Sequence, residues 1–250
     1  MQLPLFRRLL LTILVVLSMA IVYPVTSFAQ ETPAFTKFHT DTTTLSKNDS
    51  LFNNLHLGKL GLGRVAYNYA MLGYDVLSKR GKLKNRNILT IADMSTPSRN
   101  KRLFVIDIKN QKLLYVTYVA HGKNSGLDKT LYFSNKAESN MSSVGFYVTL
   151  GTYNGLNGFS LRLDGQEIGF NNNALERDIV MHGADYVDAS VVKSQGYLGR
   201  SLGCPALSPG IYKAIIGKIK NGSCLFVYGN EGNYISNSKL LKQPVKLEKK

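Results

Sequence analysis

Two side chains with the chemistry of acyl transfer lie close together in this chain, His182 and Cys204. The apolar run Ile179-Val180-Met181 delivers His182-Gly183 to what should be a strand end. Gly199-Arg200-Ser201-Leu202-Gly203-Cys204-Pro205 is a small-residue turn that presents a thiol. Thiolate is the reactive form of cysteine, and a neighbouring imidazolium or positive dipole brings a thiol pKa from about 8.5 into the range of roughly 4–7. Such a pair attacks a carbonyl to form an acyl-enzyme while the imidazole shuttles the proton. Gly203 lets the backbone approach a substrate closely, the N–H groups of Gly203 and Cys204 are candidates for an oxyanion hole, and the Gly183 carbonyl can orient the ring.

The second cysteine, Cys224, leaves an alternative open. In an exported protein an even cysteine count reads as a disulfide, which would make Cys204–Cys224 a staple. Against that, Gly222-Ser223-Cys224-Leu225-Phe226-Val227-Tyr228 has the pattern of a strand, where a free cysteine serves as a small buried hydrophobe. A zinc site is disfavoured: there is no C-x-x-C, and the four histidines are His39, His56, His121 and His182. Residues 1–29 decide the compartment. Arg7 and Arg8 precede an apolar run from Leu9 to Val22, Pro24 breaks it, and Ser27-Phe28-Ala29 offers small residues for cleavage after Ala29. That run is shorter than a full membrane span of about 20 residues, so contact with the membrane is expected only through the signal segment. Lys and Arg exceed Asp and Glu by 31 to 16, a net charge of +15 spread along the chain. No nucleic-acid-binding motif accompanies it, and no nucleic-acid partner is expected; a basic surface equally suits anionic envelope polymers.

The elements that must position the pair read as follows. Residues 30–60 have no period and are expected to be a flexible leader. Leu62, Val65, Tyr69, Leu72 and Val76 recur at helical steps, predicting a helix to about Lys79 ended by Gly81, within a helical addition over 61–86. Strands are predicted over 87–92, over 103–108 and 113–119 as a hairpin about Lys109-Asn110-Gln111-Lys112, over 145–153, 160–163 and 178–181. Asn154-Gly155, Asn157-Gly158 and Asp164-Gly165 read as turns. Ser208-Pro209 suits a helix start with Ile211, Ile215, Ile216 and Ile219 as its buried stripe. The strand through Cys224 closes a β-dominated α+β domain over 87–230, and 231–250 reads as a solvated polar, basic tail.

His182-Gly183, then seventeen residues, then Ser201-x-Gly203-Cys204 resembles the signature of the YkuD-type L,D-transpeptidases, with Ser142-Ser143-Val144-Gly145-Phe146-Tyr147-Val148 similar to a segment that precedes their catalytic strands. The Ser-x-Gly-Cys-Pro-Ala ending and the His121-to-Gly126 loop look like a divergent branch of that family. The resemblance implies a mixed β-sandwich with a few packed helices, with Cys204 as nucleophile, His182 as base, the Gly183 carbonyl orienting the base, and the Gly203 and Cys204 amides holding the oxyanion. It implies peptidoglycan stem peptides as substrates, an amine as acyl acceptor, a covalent adduct with carbapenems, and neither metal nor organic cofactor. Water as acceptor would give an L,D-carboxypeptidase or peptidoglycan hydrolase. A basic cell-wall-binding module with a Cys204–Cys224 disulfide is the non-catalytic alternative. Leu202 stands where the family carries a second His, and Pro205-Ala206 replaces its usual ending. Arg200 is then a candidate for gripping a substrate carboxylate, His121 for restoring an imidazole, Ser201 for donating to substrate or capping the turn, and Tyr153 for an additional donor. Asn171 and Arg177, in the polar run before the His182 strand, are expected to be solvent-exposed.

Overall fold

The computed structural model describes residues 42–242, with side chains from 48 onward. The signal segment, the leader to 41 and residues 243–250 of the tail lie outside the described residues. Helix α1 (Thr42–Asn54) occupies ground expected to be a flexible leader. Its order comes from tertiary contacts that a period cannot reveal. Leu51, Phe52 and Leu57 are buried, the Phe52 ring meets Tyr67 edge-on at 5.0 Å, and the Arg64 guanidinium covers the same ring. Helix α2 (Arg64–Lys79) forms where predicted and buries the expected Tyr69, with Leu62 buried just before it, but the rest of its buried face is rotated to Ala66, Tyr67, Ala70, Met71, Tyr74 and Leu77, leaving Val65 exposed. Gly73 explains the rotation: a methyl there would stand 2.1 Å from the Phe146 ring, so the helix seats its glycine on the sheet.

Strand β1 (Ile88–Asp93) pairs with β2 (Leu103–Asp107), which forms the predicted hairpin with β3 (Lys112–Thr117). The next hairpin is β4 (Gly145–Gly155) with β5 (Gly158–Gly165), so Leu156-Asn157 is its tip. Asn154-Gly155 and Asp164-Gly165, expected as turns, are absorbed into these strands because the ladder continues through them. Strand β6 (Val180–Gly183) carries His182. Two short elements went unpredicted: α3 (Ala189–Gln195), capped by the Asp188 carboxylate on the Ser190 N–H, and the two-residue β7 (Ala206–Leu207). Helix α4 (Tyr212–Ile219) starts three residues beyond Pro209, because the Ser208 carbonyl first accepts from Ile211 and Tyr212 in a turn. Strand β8 (Cys224–Tyr228) enters the middle of the sheet, parallel to β1 and antiparallel to β4.

The order is β3-β2-β1-β8-β4-β5-β6-β7, a mixed sheet with a β-dominated α+β composition. Laid flat, eight strands about 4.8 Å apart would hold the outer two roughly 34 Å from each other. Yet the Ala120 N–H, just past β3, donates to the Ala206 carbonyl of β7 at 2.9 Å. The sheet therefore curls until its two ends meet, enclosing Leu103, Val105, Tyr147, Leu161, Leu163, Met181, Leu225 and the α4 isoleucines in one core. The segment after β8 also departs from expectation. Helix α5 (Gly232–Asn237) buries Tyr234, followed by buried Ser238, Leu240 and Leu241. A buried carboxylate, Glu167, receives hydrogen bonds from the Tyr234 hydroxyl (2.8 Å), the Ser238 hydroxyl and the Phe146 N–H (2.9 Å), which fastens this segment to β4.

Candidate active site

The parallel pairing of β6 with β7 sets His182 opposite Ala206 and Gly183 opposite Leu207. Running that register back two residues brings Cys204 beside Val180. The Val180 N–H points at Cys204 Sγ from 3.5 Å, and Sγ faces the Asp178 carbonyl at 3.6 Å. His182 thus enters from β6 and Cys204 from the turn leading into β7, two positions apart along the extended register. His182 Nδ1 lies 3.0 Å from the Gly183 carbonyl. A carbonyl accepts only, so Nδ1 carries the proton and the Nε2 lone pair of the neutral ring is left for a substrate or thiol proton.

Electrostatics keep the resting pair neutral. Burial pushes the Cys204 thiol up, only partly opposed by the Val180 N–H and the positive charge of Arg177. Burial also lowers His182, against a raising contribution from its Gly183 hydrogen bond. A buried thiol and a buried imidazole disfavour a standing ion pair.

The turn that carries the thiol is held by Ser201. Its hydroxyl accepts from the Gly203 N–H at 3.1 Å and donates to the Cys204 carbonyl at 2.6 Å. Ser201 is 5% exposed, so its hydroxyl is spent inside the turn rather than on a substrate. The same bond uses the Gly203 amide, which sequence reasoning assigned to the oxyanion. Among the described residues no hydrogen bond takes the Cys204 N–H. Gly203 is required by its backbone: φ is +129°, and a methyl there would sit 2.9 Å from both the Met141 carbonyl oxygen and Ile179 Cδ1. Behind the turn, the Ser201 N–H donates to the His121 carbonyl and the Lys123 N–H to the Ser201 carbonyl.

The remaining candidates are placed differently. His121 is 1% exposed, with Arg102 Nη2 donating to Nδ1 at 2.8 Å and Nε2 facing the Gly126 carbonyl at 3.2 Å. Both ring nitrogens are occupied, so this imidazole braces the loop instead of restoring a missing one. Arg200 is exposed and reaches the Lys123 and Gly126 carbonyls at 3.2 and 3.4 Å. Tyr153 is half-buried on β4, its ring under the Arg162 guanidinium at 4.2 Å. Leu202 points outward at 64% exposure. Asn171 and Arg177 were expected in solvent and are not. Asn171 is fully buried, bonded to the Glu167 N–H and the Phe146 carbonyl. Arg177 is half-buried beside the thiol turn. Tyr186 also lies near enough for the thiol to influence it, pushed up to about 12 mainly by burial. Only its position between His182 and Cys204 could have marked it in the sequence. Both cysteines are free, Cys224 wholly buried on β8, so the disulfide staple is not formed. Among the described residues no group of three or more His, Cys, Asp or Glu is gathered that could hold a metal ion.

A model of the L,D-transpeptidase catalytic domain matches residues 59–228. The chain belongs to the L,D-transpeptidase catalytic domain family. Every element described at the site lies within the matched residues. No match is found among curated proteins. Solved structures with which the chain shares likeness include an L,D-transpeptidase from Mycobacterium smegmatis, at 16% identity and a TM-score of 0.35, covering 57% of this chain and 59% of that one. A helical cell shape determining protein from Campylobacter jejuni aligns at 14% identity and a TM-score of 0.38, over 58% and 48% of the two chains. An L,D-transpeptidase from Stackebrandtia nassauensis aligns at 16% identity and a TM-score of 0.33, over 68% and 69%. The chain thus spans about three fifths of the Mycobacterium smegmatis L,D-transpeptidase and less than half of the Campylobacter jejuni protein.

Proposed function

We propose that this protein is an exported, cysteine-dependent L,D-transpeptidase of the cell envelope, acting on peptidoglycan stem peptides through a Cys204 thioester. The observation that carries the reading is the β6–β7 register, which sets Cys204 beside Val180 and two residues from His182 while Gly183 fixes the imidazole tautomer. The Sγ proton passes to His182 Nε2 as sulfur attacks the donor carbonyl carbon. The Cys204 N–H donates to the developing oxyanion. The C–N bond then breaks, the leaving amine takes the proton from His182, and a thioester remains. An acceptor amine attacks that thioester, giving its proton to His182 and returning the sulfur to the thiol. Export rests on the basic, apolar and small-residue order of residues 1–29.

The test is intact mass of the purified mature protein after incubation with a carbapenem, whose strained lactam mimics the acyl donor. A stoichiometric adduct that disappears in Cys204→Ala is expected. No adduct on a protein with two titratable thiols would reject the thioester route. Single-turnover assays with and without an added amine then separate transfer from hydrolysis: a product that carries the amine marks a transpeptidase, and water-only product marks a carboxypeptidase.

A further inference from the structure

The cation whose charge bears on the Cys204 thiol is Arg177, not the arginine inside the motif. Arg200 projects to the surface, whereas Arg177 reaches inward from the segment before β6. Its Nη1 donates to the Ser134 carbonyl at 2.7 Å and to the Ser143 hydroxyl at 2.5 Å. Its Nη2 donates to the Ser139 hydroxyl at 3.0 Å and the Met141 carbonyl at 2.9 Å. The same Nη2 stands 3.5 Å from where a methyl on Gly203 would be. The guanidinium is therefore wedged between the 134–143 loop and the residue that precedes the nucleophile. One donor is left over: Nε is buried and has no hydrogen-bond partner. The fully buried Arg102, by comparison, spends its Nε on the Val119 carbonyl.

We propose that Arg177 stabilises the Cys204 thiolate and fixes the Gly203–Cys204 turn against the 134–143 loop, a positioning role that rests on the acyl-transfer reading above. A neutral thiol sits comfortably in its buried setting, but proton transfer to His182 leaves a thiolate and an imidazolium whose burial lowers its own hold on the proton. Burying charge is costly, and a fixed guanidinium, which never deprotonates, adds a second positive charge to the thiolate's surroundings. The influence runs both ways: the Arg177 charge lowers the thiol, and the thiol raises Arg177. The other groups near the thiol do not supply this. Asp178 acts in the opposite sense, Tyr186 is a neutral phenol, and His182 becomes positive only by taking the thiol proton and must then pass it on, so it is not a standing cation. The four hydrogen bonds to the loop give the cation a fixed position, so it need not reorganise when charge develops.

Two readouts on the full purified chain test this. The first is the pH profile of Cys204 alkylation by iodoacetamide, with Cys204→Ala as the blank, since Cys224 has no exposed surface. Arg177→Gln should move the midpoint upward by about one pH unit, the lower end for loss of a close opposite charge. Arg177→Lys should retain most of the wild-type midpoint. Ser143→Ala, which removes a loop contact without touching the charge, should keep it. An unchanged midpoint in folded Arg177→Gln overturns the proposal. The second readout needs no variant: the ratio of iodoacetate to iodoacetamide rates in the wild type, at about 1 M salt, where screening acts beyond roughly 3 Å and the basic surface is muted. A ratio above that of free cysteine is expected. A ratio equal to free cysteine overturns the proposal even if Arg177→Gln fails to fold. Neither readout requires a peptidoglycan substrate, so a failed carbapenem adduct and a failed role for Arg177 remain distinguishable.

Discussion

The Ser201 hydroxyl and the Cys204 carbonyl are joined at 2.6 Å, while the same oxygen accepts the Gly203 N–H. One side chain therefore closes the turn from both ends. It holds the backbone about Cys204 and occupies one of the two amides that the motif suggests for an oxyanion. In the proposed acyl transfer, anion stabilisation rests on the Cys204 N–H, and the value of that donor depends on how rigidly Ser201 holds it.

Ser201→Ala should slow acylation of Cys204 by roughly five- to thirtyfold, from the loss of about 1–2 kcal/mol of hydrogen bonding that orients the thiol. The rate of carbapenem adduct formation, followed by mass, reports this directly. The melting temperature should fall by only a few degrees. A variant that acylates at the wild-type rate would show that the turn holds its shape without the hydroxyl.

Gly203→Ala should be worse than its single methyl suggests. The residue sits at φ +129°, and the new methyl would meet the Met141 carbonyl oxygen and Ile179 at 2.9 Å. Strain of this kind costs on the order of 1–3 kcal/mol, and relief requires the turn to move away from Arg177 and the 134–143 loop. A lower melting midpoint together with loss of the carbapenem adduct is expected. Unchanged melting would mean the turn accommodates the methyl.

Much of the site was legible because its chemistry needs particular residue types at fixed places. His182 lies on a strand and Cys204 in the turn leading into the strand beside it, and the apolar run and small-residue turn that carry them are visible in the sequence. What escaped was the use of side chains by the fold itself. Ser201 and His121 are reactive types with every polar atom already engaged, and no spacing reveals that. Arg177 and Asn171 sit in a polar run that looks solvated; their burial follows from long-range partners such as Ser134 and Phe146. Likewise β7 is too short to carry a period, and helices α1 and α5 are ordered by what they touch rather than by an amphipathic pattern of their own.

Helix α5 supplies a sharp contrast with a solvated tail. Tyr234→Phe removes the 2.8 Å hydrogen bond to Glu167, a buried carboxylate that burial has already pushed up. Leaving that acceptor short of a donor should cost about 1–3 kcal/mol, and ending the chain after Asn230 should cost more, since Leu240 and Leu241 are also uncovered. Denaturant unfolding of the two variants checks the order. A truncated chain as stable as the full one would restore the view of this segment as a mere tail.

The brace behind the thiol turn predicts a pH dependence of stability. His121 is held neutral, lowered to about 4 chiefly by burial and secondly by the Arg102 charge, with Arg102 Nη2 donating to its Nδ1. In the unfolded chain the same imidazole titrates near 6.5. A group lowered on folding binds its proton more readily when unfolded, so its contribution is complete above pH 6.5 and is lost as pH falls toward 4. The span corresponds to on the order of 3 kcal/mol. His182 is lowered as well and adds loss of the same sign. Urea unfolding at a series of pH values should therefore show stability dropping between pH 6.5 and 4, and His121→Gln should flatten much of that drop while lowering stability at pH 7. An equally steep drop in His121→Gln would place the sensitivity elsewhere, with His182 as the next residue to exchange.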